Sequence, residues 1–216
     1  EFLTKIIQQS INLLEMKKNK LAIFGEGGHS NVLKDCAILN KWKKIDFYND
    51  IFSEKSIGNL ELLINKINEY DGIIIAIGDN LIRKKKYELI KKNDGKIATL
   101  IHPTAIISPE VTIAEGTVVC AGAIINPKAS IGNNCILNSG SIVEHDCIIE
   151  DSVHISPGAV LCGAVKVSNL TWIGANSIVR EGVKIGESCI VGAGSVVLTD
   201  MESNKKGVGN PIKIIN

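Results

Sequence analysis

From residue 107 to residue 191, every sixth position is Ile, Leu or Val, from Ile107, Ile113 and Val119 through to Ile185 and Val191, fifteen matches without a miss. A second track lies four residues on from each and is small or β-branched throughout, as at Ala123, Ala129, Cys135, Ser141 and Cys147. A period of six fits neither the 3.6-residue helix nor the two-residue alternation of a half-buried strand. It fits a short strand followed by a turn, repeated. Three such units wind into a triangular coil of 18 residues, and successive coils stack at the strand spacing of about 4.8 Å. Fifteen units make five coils, with aliphatic side chains inside the prism and small ones where the turns close.

This pattern also accounts for the cysteines. Cys135, Cys147 and Cys189, three of the six, fall on the small-residue track. A free Cys there acts as a small hydrophobe, and the chain has no CxxC pair. A reduced, cytoplasmic protein is the expectation. The 4% aromatic content suits a core stacked from aliphatics rather than rings. A net charge of +1 offers no basic field for nucleic acid. No apolar run approaches the roughly 20 residues of a membrane span, and no signal peptide is recognisable.

The first half reads differently. Lys20–Phe24 is an apolar strand, followed by the turn Gly25-Glu26-Gly27-Gly28-His29-Ser30 and a helix over 31–39. Strand, glycine turn and helix form the unit that cradles phosphate on backbone N–H groups. The spacing is not a full GxGxxG, so a dinucleotide reading is weak. A second strand over 45–48 ends in Asn49-Asp50, where an acid can hold a ribose or a base edge. A third, over 72–77, ends in Gly78-Asp79-Asn80 ahead of a helix carrying Arg83. Three parallel strands with polar or glycine ends predict a small Rossmann-like domain with a ligand across its carboxyl edge. The expected organisation is an extension at 1–19, the Rossmann-like domain at 20–100 and the β-helix with its tail at 101–216. Leu3, Ile6, Ile7, Leu13 and Leu14 can share one helix face within the extension.

Taken together, LAIFGEGGH, FYND, IAIGDN, LIHPTAIISP and the hexapeptides resemble one family, the bacterial sugar O/N-acetyltransferases of the NeuD, PglD and PerB type. The resemblance runs from Lys20 to nearly the end of the chain. It implies a left-handed β-helix, a homotrimer with sites at subunit interfaces, acetyl-CoA held by the β-helix and a nucleotide sugar held by the N-terminal domain.

Acetyl transfer from a thioester to an amine needs a base for the amine proton and a donor for the developing oxyanion. Of four histidines, His145 stands out: it falls between Glu144 and Asp146, outside the aliphatic track of the solenoid. One coil further on, Gly163 should stack directly upon it. The resemblance makes His145 the base, Asp146 its supporting acid in place of the Glu of PglD-type members, and the Gly163 N–H the donor to the acetyl carbonyl. It also places His154, Ala175 and Ala193 at acetyl-CoA, and matches Gly-Val-Gly-Asn-Pro-Ile-Lys at 207–213 to a tail whose Lys, here Lys213, lies near CoA phosphates. Gly25, Gly27, Gly28, His29, Asn49, Asp50, Gly78, Asn80 and Arg83 are expected to line the nucleotide-sugar pocket. His102, before Pro103, reads as structural. A metal is not expected, because only His145 and His154 lie in the body of the solenoid. Two other readings stay open: O-acetylation of a sialic-acid-type sugar, and a β-helix scaffold without catalysis. Neither the nucleotide nor the sugar is fixed by these residues.

Overall fold

The computed structural model describes residues 18–51 and 54–215. The helix face expected within the first fifteen residues lies outside them. Strand β1 (Lys20–Phe24) is central, flanked by β2 (Lys44–Tyr48) and β3 (Gly72–Ile75), all parallel. The β2-β1-β3 order makes the gap between the ends of β1 and β3 the topological switch point, where ligands of such sheets bind. Helix α1 (Gly28–Leu39) starts directly on the glycine turn, three residues earlier than the sequence reading. The short α2 (Leu60–Asn65), which that reading lacked, is capped by Asn59 accepting from the Leu62 N–H. Helix α3 (Asn80–Lys92) is capped by Asp79 accepting from the Ile82 N–H.

Seventeen two-residue strands follow, from β4 (Leu100–Ile101) to β20 (Val196–Val197), in three parallel sheets. The solenoid is a left-handed β-helix of about six turns. The hexapeptide track therefore continues one unit beyond each end of the fifteen units read from sequence. Its register is i to i+18 along the body, as in Leu137↔Ile155 and Ile155↔Ile173. At the last coil the offset falls to 16, as in Val191↔Gly207 and Ile185↔Met201, and the hairpin of β21 (Lys206–Val208) and β22 (Lys213–Ile215) closes that end.

The prism interior holds the aliphatic track and the small track together in one buried cluster. Small polar members satisfy themselves across the coil: Thr117 and Thr171 donate to the carbonyls of Gly132 and Gly186, fifteen residues ahead. The thiols of Cys135 and Cys147 donate over the same interval, to Glu150 and Cys162. Cys189 donates to Glu202, thirteen residues ahead, because its coil is two residues short. Burial pushes the Cys135 and Cys147 thiols up to about 12 and about 11, so they fill space and do not react.

The α/β unit sits on the first of the three sheets. Leu33, Cys36 and Ala37 of α1 join Leu100, Val118 and Cys120 of the solenoid in one cluster. Outward residues of that sheet, Leu100, Val118 and Ile136, are 1% exposed, while Trp172 and Ile190, beyond the cover, are 41% and 37% exposed.

Candidate active site

The corners of the prism are columns of residues 18 apart. Along one, Asp146 N–H donates to Pro127, Ala164 N–H to His145 and Gly182 N–H to Gly163. These bonds stack Pro127, His145, Gly163 and Glu181 along a single edge. His145 is exposed there, and its Nδ1 lies 2.8 Å from Asp146 Oδ2. Asp146 turns the corner in the left-handed region, at φ 59°. Asp visits that region more readily than most side chains. A carboxylate on Nδ1 favours the tautomer that leaves Nε2 free to accept a proton. A Cβ built on Gly163 would lie 2.6 Å from His145 Cε1 and 2.7 Å from Nε2. The imidazole thus rests on bare backbone, a position no larger residue at 163 permits. Among the described residues the Gly163 N–H has no hydrogen-bond acceptor.

Ala175 and Ala193 lie on a different edge, with Ser139 and Pro157, joined by Gly158→Ser139, Asn176→Pro157 and Gly194→Ala175 bonds. Within one chain they do not meet His145. Between the two edges runs the second sheet, whose outward side chains are Ile106, Ile124, Ile142, Val160, Ile178 and Val196. Ile106 is 65% and Ile178 44% exposed. The third sheet carries Thr112, Ser130, Ile148, Lys166 and Lys184 in the matching positions. Lys213 is exposed on β22, at the far end of the solenoid.

His154 faces outward from the first sheet but is only 7% exposed, because the α/β unit covers it. Its ring stacks on Trp172 with centroids 5.4 Å apart, and Nε2 lies 3.2 Å from Asn138 Nδ2. Trp172 Nε1 donates to Ser156 Oγ at 2.6 Å. Burial first, then the charge of Arg83 and the proximity of His29, push His154 down to about 3. Sequence reasoning did not find Asn138, Ser156 or Trp172. Trp172 is one coil on from His154 and Ser156 one coil on from Asn138, so the 18-residue register contained that signal.

At the carboxyl edge of the α/β sheet, Gly25, Glu26, Gly27, Asn49, Ile51, Ala76, Ile77 and Gly78 line a cleft of about 470 Å³. Gly25 has φ 107°, and a Cβ there would strike the Ala76 carbonyl at 2.8 Å. Gly27, Gly28 and Gly78 instead border open space, with nothing within 4 Å of an added Cβ. Gly27 caps α1 without a side-chain bond, which leaves first-turn N–H groups free for an anion. His29 has a buried Nε2 with no hydrogen-bond partner, and burial plus Arg83 hold it down to about 4.

Three residues expected in this pocket make their hydrogen bonds to the protein itself. Arg83 is 1% exposed and donates to the carbonyls of Asn134, Ser152, Ile77 and Gly78 and to Asn80 Oδ1. It bolts α3 to two adjacent coils and presents no donor to the cleft. Asn80 is 8% exposed and donates to the Leu170 and Thr171 carbonyls. Asp50 accepts from the Leu60 N–H and pairs with Lys86. Burial opposes its ionisation, but these two partners hold its carboxyl below the usual range. His102 binds Thr104 at the junction, a local structural contact. The described residues contain no cluster of His, Cys, Asp and Glu able to hold a metal, and no helix long and apolar enough to cross a membrane.

A left-handed β-helix behind a small Rossmann-like sheet is the fold of the acetyltransferases that this chain resembles in structure. Residues 20–90 match the PglD N-terminal domain, and 128–163 and 164–199 match the bacterial transferase hexapeptide model of six repeats. The chain is 37% identical over 114 residues to UDP-N-acetylbacillosamine N-acetyltransferase of Bacillus subtilis, a match covering 47% of this chain and 51% of that relative. It thus spans about half the length of that curated relative. Perosamine N-acetyltransferase of Caulobacter crescentus, solved as a histidine variant with CoA and GDP-perosamine, superposes with a TM-score of 0.88 at 30% identity, covering 92% of this chain and 97% of that one. The acetyltransferase domain of PglB from Neisseria gonorrhoeae, solved with acetyl coenzyme A, also superposes at 0.88, with 33% identity and coverage of 91% and 99%. The chain belongs to the PglD- and PerB-type sugar acetyltransferases of the hexapeptide-repeat family.

Proposed function

We propose that this protein is an acetyl-CoA-dependent N-acetyltransferase acting on the amino group of a nucleotide-linked amino sugar. The observation that carries this reading is the seat of His145 on Gly163. A proton acceptor and a free backbone N–H stand one strand spacing apart, on an edge open to solvent. In the proposed reaction the sugar amine attacks the thioester carbonyl carbon as His145 Nε2 takes the amine proton. The Gly163 N–H steadies the oxyanion, and the C–S bond breaks to release CoA as its thiolate. Asp146 holds the ring in place. The described thiols are mostly buried with raised pKa, which supports direct transfer without an acetyl-enzyme.

The active unit in this reading is a homotrimer. The second sheet carries an aliphatic strip, the third a polar face, and exposed apolar strips of this kind mark contacts between chains. Three prisms packed about an axis on their second sheets bring the His145 edge of each chain beside the Ala175 and Ala193 edge of its neighbour. The pantetheine arm lies in that groove, with Lys213 toward the CoA phosphates. The cleft at Gly27 and Gly78 delivers the nucleotide sugar, its diphosphate on the start of α1 and its amine toward the neighbour's His145. In this reading the enzyme works in the cytoplasm.

Release of free thiol from acetyl-CoA, measured with UDP- and GDP-linked 4-amino sugars and with CMP-sialic acid, tests the assignment. Turnover is expected only with an amino sugar, and His145→Ala should lower kcat by about 10²–10⁴. Near wild-type turnover in that variant, or acetylation of the sialic acid alone, overturns it. Mixed trimers of His145→Ala and Ala193→Asp chains should regain activity that each parent lacks, if the site joins two chains.

A further inference from the structure

The pocket contains a carboxylate to which neither the sequence reading nor the family matches give a role. Glu26 sits in the glycine turn, between Gly25 and Gly27, and lines the same cleft as Asn49 and Gly78. Its Oε2 is shielded from solvent and has no hydrogen-bond partner. A carboxylate oxygen in that state lacks the donors that would offset its desolvation, and a ligand donor supplies them. In doubly wound sheets an acid at the end of the second strand normally binds the ribose hydroxyls. Here that acid, Asp50, has one oxygen on the Leu60 N–H and the other on Lys86. Asn49 places its Nδ2 on the Ile51 carbonyl. The free carboxylate of the cleft is displaced by one strand, from the end of β2 to the end of β1.

We propose that Glu26 is the specificity residue of the nucleoside subsite, accepting hydrogen bonds from the ribose hydroxyls, so that the enzyme selects ribonucleotide over 2′-deoxyribonucleotide sugars. This rests on the nucleotide-sugar reading of the cleft. A carboxylate does not accept a hydrogen bond from an ionised phosphate, so its partner is a neutral donor. The sugar amine runs the other way, toward the solenoid and the neighbouring chain's His145. That leaves the nucleoside on the β2 side of the cleft, which Glu26 lines together with Asn49 and Ile51.

The test measures binding rather than turnover, so it stands apart from acetyl transfer. Calorimetry on the full chain compares UDP with 2′-deoxy-UDP, and GDP with 2′-deoxy-GDP. The ribonucleotide of whichever pair binds should be favoured by about ten- to a hundredfold, the range for a hydrogen bond to a charged acceptor. Glu26→Ala should bring that ratio close to one, and the isosteric Glu26→Gln should reduce it while keeping the cleft's shape. The proposal fails if wild type binds both members of a pair equally, or if the ratio survives in both variants. It also fails if the variants change the preference between uracil and guanine and leave the ribose preference intact, which would assign Glu26 to the base. If none of the four diphosphates binds, it fails as well. Ribose discrimination in a chain that transfers no acetyl group would sink the catalytic reading and leave this one standing.

Discussion

The solenoid and the α/β unit assign roles to residues by different rules. In the solenoid, position within the six-residue period decides almost everything. Thr117 and Cys135, on the same track, both donate to a carbonyl fifteen residues ahead despite their different chemistry. A residue that departs from the pattern, as His145 does, is therefore conspicuous. In the α/β unit, a polar side chain at a strand end has two possible employers, the ligand and the neighbouring domain. Asn80 and Arg83 went to the domain seam, while Gly27 and Gly78 were left facing the cleft. A repeat isolates its functional residues by contrast, whereas a docked domain conceals them among its own connections.

The sharpest way to break this comparison is at Arg83. Its guanidinium serves carbonyls on both sides of the seam, so Arg83→Ala orphans several buried acceptors at once. We expect a loss of about 3–5 kcal/mol in chemical unfolding, with no selective loss of nucleotide affinity at temperatures where the variant is folded. Arg83→Lys should rescue little, since an ammonium has three donors and no planar fork. A variant that melts like wild type yet fails to bind nucleotide would return Arg83 to the pocket.

Gly163 gives the matching test within the solenoid. An added methyl meets the His145 ring at 2.6 Å, so the ring must leave its seat. Gly163→Ala should lower kcat about 10²-fold, the scale set by loss of a base's alignment, while the melting temperature stays close to wild type. An equal loss of stability and activity would mean that the glycine serves the coil rather than the imidazole.

Half-buried His29 and buried His154, near the seam, set the acid limit of the fold. His29 and His154 are held at about 4 and about 3, below the 6.5 of the unfolded chain. The unfolded state therefore binds more protons, and stability rises with pH in this range. Their contribution is complete above pH 6.5 and drains away as pH falls toward 4, at about 1.4 kcal/mol per pH unit for each histidine. Denaturant midpoints across that window should show the slope, and His154→Gln should remove close to half of it. A flat profile in wild type would mean that water reaches both rings.

Much of the solenoid was legible because its physics repeats. The inward track, the 18-residue coil and the stacking of Gly163 on His145 all follow from counting. Counting stopped one hexapeptide short at each end, because Ile101 lies beside the domain junction and Val197 precedes the two-residue contraction at Met201. It also could not bring Ala175 and His145 together, since a period gives columns and not neighbours, and within one chain those two columns are different edges. In the α/β unit the strands and the glycine turn were readable from local pattern. The employment of Asp50, Asn80 and Arg83 was not, because their partners lie up to 91 residues away, as with Asn80 and Thr171. Glu26 went unread because a lone Glu in a glycine turn has no sequence signature of burial.

The smallest effect tests the corner rule itself. Every sixth residue from Gly116 to Gly194 has positive φ, and eight of these fourteen corners are not glycine. Asn134 and Asn176 suit that conformation, since a short amide side chain tolerates it, but Lys128 at φ 63° does not. Lys128 is exposed and makes no ion pair among the described residues, so its side chain offers little to offset the strain. Lys128→Asn relieves the backbone without adding the unfolded-state entropy that Gly would bring. It should raise stability by about 0.5 kcal/mol, a shift of one or two degrees in a chain this size by about 2–4 °C per kcal/mol. The same exchange at Lys166, which lies in a strand and not at a corner, should gain nothing. Equal gains at both positions would show that charge dispersal, rather than the left-handed corner, is what the substitution relieves.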